Sequence, residues 1–378
     1  MRFAPKRKLA FLALGLAVAL APCTARAGAV IVHENESIQA AIDLAAPGTT
    51  IKVMPGDYTE HHADPNQTSA LRITKSLKLI ALSRLPDRKV RILPGPGQHD
   101  GIVIEPENPG DPEVRRVTVQ GFTVEGFSNH GIWTRYVNKF KIIGNESINN
   151  LHNGIFPTLS ANGVVKKNTS FGSLDAALWV EASERVRVHH NHLYGSPIGL
   201  EITISNRIKA TKNHVHDNVV GIGLFHPNAA PLPPLDDNGD WDIAGNYVHS
   251  NNLTNPVSGG LLGLLPSGSG ILVAGVQGVK VRKNEIVNND LTGLAIVDWC
   301  LMVGCSSQPA ISSKPEDISV IGNEINSNGG NPSGSFATLA ADVIYFGGGE
   351  NICFSKNEVG TVFGAMPTWP TCITNPSS

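Results

Sequence analysis

Apolar and polar residues alternate along this chain in short runs, and the runs recur about every 22–23 residues. Eight asparagines mark the repeat: Asn145, Asn168, Asn191, Asn213, Asn246, Asn284, Asn323 and Asn357. Five and three residues before each, the chain is mostly apolar, as in Phe140/Ile142, Val186/Val188, Val279/Val281 and Ile318/Val320. Two residues after most of them another aliphatic follows, such as Leu193, Val215 or Ile286. Thirteen residues before most of them stands an aliphatic preceded by a small residue: Gly131-Ile132, Gly154-Ile155, Ala177-Leu178, Gly199-Leu200 and Gly270-Ile271. Stretches this short, with a period of two and Gly/Asn punctuation, predict strands and not helices. A unit of this size cannot bury its own apolar face and must stack on its neighbours, which is the logic of a solenoid. The expectation is an all-β stack of coils, a parallel β-helix with three sheets along its axis. Asparagine suits the column because its amide can bond the coils on either side and because it tolerates left-handed geometry at a tight bend.

The N-terminal part departs from this period in an instructive way. Residues 37–46 read as a short amphipathic helix starting at a capping Ser37, and Thr50-Ile51-Lys52-Val53 then opens a strand. The segment IQAAIDLAAPGTTIKVMPGDYTE (38–60), followed by repeats such as GILVAGVQGVKVRKNEIVNND (270–290), resembles the right-handed parallel β-helix proteins of the pectate-lyase-like superfamily. The resemblance covers nearly the whole chain after residue 27, implies a right-handed solenoid, and implies that the helix caps its open end. An uncapped first coil would expose its core and its strand edges. These motifs specify fold and not chemistry. Insertions at 226–240, 252–268, 299–316 and 326–341 interrupt the later coils and are expected to leave at the bends, building walls beside the sheets.

Residues 1–27 have the form of a secretory leader: Arg2, Lys6, Arg7 and Lys8, an apolar run from Leu9 to Leu20, then Ala25-Arg26-Ala27. The expected division is therefore a leader at 1–27 and one solenoid domain at 28–378, with 361–378 as a tail; Cys23 is an alternative lipid-anchor position. The protein is expected to be secreted or periplasmic and monomeric, with no membrane span. Without the leader, 25 basic residues face 32 acidic ones, a balance of −7 that argues against a nucleic-acid partner. Four cysteines remain after it, and an even number in an exported chain points to two disulfides. The local pairing is Cys300–Cys305 with Cys353–Cys372.

Candidate chemistry comes from the outward positions. In the first sheet, after each Gly-aliphatic pair, Trp133, Phe156, Trp179 and Glu201 share one column, and Arg135, Glu181 and Phe225 fall in the next. Coils stack about 4.8 Å apart, so the three aromatics are expected to form an exposed ladder on which sugar rings could lie. His130, His152 and Asp175 line the bend entering this sheet, and His226 with Asp236, Asp237 and Asp240 lies beyond its far edge. This set predicts a groove for an extended, acidic polysaccharide. Trp133, Phe156, Trp179 and His226 are its binding residues, and His130, His152, Arg135, Glu181 and Glu201 are its chemical set. The proposed diagonal of Glu181 and Glu201 is compatible with the carboxyl spacing of an inverting glycosidase. For a uronate lyase or epimerase, Arg135 or a histidine would neutralise the carboxylate, and His130 or His152 would take the proton.

A second cluster stacks His192, His214 and Tyr247 in one outward column of the third sheet and Tyr194, His216 and His249 in the next. Imidazoles on successive coils are candidate ligands for a divalent metal; no motif calls for another cofactor. Asp-Pro-His-Asp, as in alginate epimerases, and the pectate-lyase Arg-x-Pro-x-x-Arg are both absent. Arg207-Ile208-Lys209 matches one polygalacturonase element without its partners. Three readings follow: a polysaccharide lyase or epimerase, a non-catalytic carbohydrate-binding module, and a histidine-based metal scaffold.

Overall fold

A computed structural model describes residues 28–62, 66–82, 88–235, 238–364 and 372. The expected leader at 1–27, Asp236 and Asp237, and all of the expected tail after Gly364 except Cys372 lie outside the described residues. Among the described residues, three long parallel sheets run side by side. The first holds eleven strands, from Ser69–Ile73 to Val362–Phe363; the second holds twelve, from Ala29–Val32 to Cys353–Ser355; the third holds eleven, from Gly56–Thr59 to Glu358–Val359. One circuit takes a strand in each, as in Ala176–Glu181, Arg187–His189 and His192–Tyr194, and the next circuit pairs with it in step.

Register follows from the aliphatic column. Ile132, Ile155, Leu178 and Leu200 pair successively and are all fully buried in one continuous interior. The small residue before each aliphatic has a steric cause. A Cβ on Gly154 would stand 2.0 Å from Ser170 Oγ and 2.6 Å from the Ala177 carbonyl oxygen. The capping helix spans Ile38–Leu44, with Ser37 Oγ accepting from the Ala40 amide at 3.0 Å. Its Ile38 and Ile42 close the core. Gln39 covers the free edge of the first sheet, accepting from Arg72 N at 2.7 Å and donating to Arg72 O at 3.1 Å.

The asparagine column is a continuous buried ladder. The Asn191 side chain donates through Nδ2 to Val165 O at 3.1 Å and to Asn213 Oδ1 at 2.9 Å. Its backbone amide donates to the same Asn213 oxygen at 3.0 Å, and its Oδ1 accepts from the Asn168 amide and side chain. Every polar atom is satisfied, as burial demands. The bend itself corrects one expectation. Left-handed geometry falls on the residue before each asparagine, at Gly144, Lys167, His190, Lys212, Gly245, Lys283, Gly322 and Lys356, with φ between 53° and 63°. Asparagine holds the column for its amide, not for its tolerance of the bend. A second ladder, not anticipated, runs through Asn218, Asn251, Asn289, Asn328 and Asp342.

The insertions do not stand beside the first sheet; they fold over it. Leu265 and Trp299, with partly buried Leu261, Leu262, Phe336 and Leu339, pack with outward Phe225, Leu272, Ala274, Ala295 and Ile344 in a second hydrophobic cluster. Short helices Gly260–Gly263 and Trp299–Val303 form within this cover, and the Cys300–Cys305 disulfide closes the second of them. Cys353–Cys372 ties down the end of the chain. No helix among the described residues is long and apolar enough to cross a membrane.

Candidate functional site

The cover over the first sheet begins only after Trp179, so the outward column splits into an open part and a roofed part. Trp133, Phe156 and Trp179 stack along the solenoid axis, with ring centroids 6.2 and 4.7 Å apart and planes within 8° and 17°. In-step pairing of parallel strands places the three side chains in one column. The stack corrects the expected exposed ladder: each ring covers its neighbour's face, and Phe156 and Trp179 are buried. Arg135 lies over the Trp133 ring with Cζ 4.9 Å from its centroid. Trp179, held by a 2.8 Å bond from Nε1 to Thr203 Oγ1, keeps one face that Phe156 does not cover.

That end of the stack opens on a cleft of about 210 Å³ lined by Asp175, Trp179, Ile198, Glu201, Phe225 and the turn 259–265. Glu201 pairs directly with Trp179 across the sheet and is 4% exposed. Burial, reinforced by Asp175 and Glu181, raises its carboxyl well above the usual range. Glu181 sits in the adjacent column, where Thr158 Oγ1 donates to its Oε2 at 3.0 Å and its Oε1 has no partner. Burial lifts its pKa to about 7, against the opposing Thr158 bond. Both carboxyls are therefore shifted towards the protonated form, Glu201 in the cleft wall and Glu181 in the column beside it.

Two histidines sit at the rim. His152 Nε2 lies 3.3 Å from Asp175 Oδ2, and that hydrogen bond raises the imidazole above its ordinary pKa despite burial. His130 stacks on His152 at 4.8 Å and touches Phe156 at 4.9 Å. Burial and the neighbouring His152 bring it down to about 3, so it is neutral, with Nδ1 unpartnered. Asp100, absent from the predicted set, holds this bend by accepting from the His130 amide at 3.0 Å and from Asn129 at 2.8 Å.

The structure thus brings together Glu181, Glu201, His152, His130 and Trp179. Arg135 stays at the open end, 3.7 Å from Glu105. His226 is removed from the predicted set. It is fully buried, with Nε2 3.4 Å from Ile311 O, Nδ1 accepting from the Asn228 amide, and its ring on Trp299 at 5.7 Å. The sequence set had also omitted Asp175 as a functional partner. The signal was available, because Asp175 follows His152 by 23 residues, one coil. The roof at 259–265 carried no periodic signal. His192, His214, His216 and His249 converge on one another in the third sheet and contribute nothing to this cleft.

A family described as the right-handed beta helix region matches residues 91–232. No curated protein matches the chain in sequence. Among solved structures, the A-module of the mannuronan C-5 epimerase AlgE4 of Azotobacter vinelandii is similar at 15% identity and a TM-score of 0.60. The match covers 89% of this chain and 94% of that one. DFA-IIIase of Arthrobacter chlorophenolicus A6 is similar at 13% identity and a TM-score of 0.54, covering 86% of this chain and 83% of that one. The periplasmic alginate epimerase AlgG is similar at 14% identity and a TM-score of 0.51, covering 88% and 84%. The stacked sheets, the family match and these neighbours agree on the fold, and the chain is a right-handed parallel β-helix protein.

Proposed function

We propose that this is an exported protein that acts on an extended carbohydrate, seating one sugar residue in the cleft between Trp179, Asp175 and Glu201. The observation that carries this reading is the juxtaposition of the Trp179 indole with the Asp175 and Glu201 carboxyl groups in the lining of one cleft. A ring face receives the C–H surface of a sugar, while carboxyl and imidazole groups serve its hydroxyls and the reacting bond. The open part of the first sheet, past half-exposed His152 towards Trp133, gives the remaining units a path. Neighbours of the same fold carry the names of mannuronan and alginate epimerases and of a DFA-IIIase, which supports a saccharide as the class of ligand. Two disulfides and the leader-like residues 1–27 support export.

In the catalytic form of this reading, Glu181 or Glu201 supplies the proton to a departing glycosidic oxygen, and the His152–Asp175 pair takes one up on the other side. A second reading rests on Arg135, whose half-exposed guanidinium at the open end suits a uronate carboxylate. There the reaction is elimination or C5 epimerisation, with His152 as the base. A panel of neutral and acidic polysaccharides incubated with the full chain tests both. New reducing ends without unsaturated uronates favour hydrolysis, unsaturated uronates favour elimination, an altered uronate epimer ratio without cleavage favours epimerisation, and binding without turnover leaves a binding module. Retained binding in Trp179→Ala, or no binding to any glycan, would overturn the cleft as a sugar site.

A further inference from the structure

A different sheet carries a cluster that the carbohydrate reading does not use. On the outer face of the third sheet, six ring side chains from three successive coils form two files. One is His192, His214 and Tyr247, with centroids 4.8 and 5.3 Å apart; the other is Tyr194, His216 and His249, at 5.2 and 5.1 Å. Stacking accounts for the files, since in-step strands superpose them. It does not account for where the nitrogens point. The rings turn their Nε2 atoms across from one file to the other: His192 Nε2 meets His216 Nε2 at 2.6 Å, and His214 Nε2 meets His249 Nε2 at 2.8 Å. One ligand atom from each of His192, His214 and His216 lies within 4.8 Å of the others.

Two facing imidazole nitrogens need either one proton between them or a cation that accepts both lone pairs. The opposite ring nitrogens show how the lone pairs are aimed. His216 Nδ1 lies 2.7 Å from Asp217 Oδ2, and His249 Nδ1 lies 3.1 Å from Ser250 Oγ. A carboxylate can only accept, so His216 carries a proton on Nδ1, which in the neutral ring leaves Nε2 as the lone-pair donor facing the cluster. A carboxylate behind a histidine is the arrangement that fixes the tautomer of metal-bound imidazoles. All four histidines are partly exposed, which leaves a path for an ion and room to adjust.

We propose that His192, His214, His216 and His249 form a binding site for a divalent transition metal ion of the zinc or copper class. Four neutral nitrogen donors suit these ions and not calcium or magnesium, which take oxygen ligands. Tetrahedral bonds of about 2.0–2.1 Å place ligand nitrogens roughly 3.3 Å apart, so each facing pair has to part by roughly half an ångström while the two pairs draw together from the 4.8 Å span of His192, His214 and His216. Asp217 then stands as the positioning residue behind His216.

The test uses the full chain without an affinity tag, stripped with chelator and titrated with ZnCl₂ by calorimetry and with CoCl₂ by visible absorption. The expected result is one equivalent of zinc and the intense visible band of tetrahedral cobalt. His214→Ala and His216→Ala each weaken zinc binding by more than the ~10–100-fold that loss of an outer partner costs, and Asp217→Asn weakens it by about 10-fold. His189→Ala, on the second sheet, leaves binding unchanged. Circular dichroism of the metal-free variants checks that each has folded, and His192→Gln repeats the test at a position of different packing. Absence of stoichiometric zinc uptake by the wild-type chain, or uptake that survives the His214 and His216 substitutions in folded protein, overturns the proposal.

Discussion

Trp179 and Glu201 are directly paired on adjacent strands of the first sheet, so the last ring of the aromatic stack adjoins the first carboxyl of the cleft. The turn 259–265 closes over the same place with Leu261, Leu262 and Leu265. One apolar roof therefore has two effects. It shapes the space beside the indole, and by removing water it raises the carboxyl well above its usual range.

Glu201→Gln preserves the shape of a protonated carboxyl and removes its proton. If the cleft is catalytic, turnover falls by roughly 10²–10⁴-fold, the usual contribution of a positioned acid, while glycan affinity holds within a few-fold. Calorimetry beside a turnover assay separates the two. Loss of affinity with turnover intact would assign Glu201 to packing.

Glu181 gives a stability signature with a defined sign. Its folded pKa of about 7 lies above the usual carboxylate value of 4.5, so its favourable contribution is complete below about pH 4.5 and is lost as pH rises through 7. Above that range the ionised, buried form costs on the order of 3 kcal/mol. Glu181→Gln should melt close to wild type near pH 4.5 and clearly above it at pH 8. Parallel melting curves at the two values decide it.

Opening the roof should retune the acid. Leu265→Ala admits water to the cleft, lowers the Glu201 pKa and moves the alkaline limb of the pH–activity profile to lower pH. An unchanged limb with reduced affinity would mean that the roof acts on binding alone.

Removing one rung of the asparagine ladder should cost more in its middle than at its end. Asn213→Ala deletes the Nδ2 bonds to Val188 O and Asn246 Oδ1 and strands the Asn191 amide and side chain that bond to its own Oδ1. Each orphaned buried group costs about 1–3 kcal/mol. Asn357, the last rung among the described residues, strands the same two groups of Asn323, but there the bonds are only part-buried, so Asn357→Ala should lose less in urea unfolding.

The Cys353–Cys372 bond closes a segment of 19 residues. Chain-entropy arithmetic assigns such a loop about 3 kcal/mol. Cys353→Ser should therefore lower the melting temperature by several degrees and make it insensitive to reductant at that site.

The repeat was legible because a one-residue slip would turn Ile155 or Val188 outward, so burial writes the register into the sequence. The same period placed Trp133, Phe156 and Trp179 in one column and Asp175 one coil above His152. It could not say that the rings would lie face to face, because alignment of Cβ atoms does not fix ring planes. It also could not say that 252–268 would cross over the sheet, since the insertion is aperiodic and its leucines read as ordinary loop residues. His226 was misplaced for the same reason: its burial depends on Trp299, 73 residues away and outside any repeat.

Every rung of the amide column donates to the next coil and accepts from the one before, so the donor side of any turn fits the acceptor side of any other and whole turns of the chain are chemically interchangeable. Excision or duplication of one complete 23-residue turn, cut at equivalent asparagines, rejoins identical partners. The molecule can therefore change length over evolutionary time in quantised steps without reinventing its interior. What such a step cannot preserve is any constellation that straddles two particular turns, and for that reason the neighbourhood of residues 175–201 is where duplication should be least tolerated.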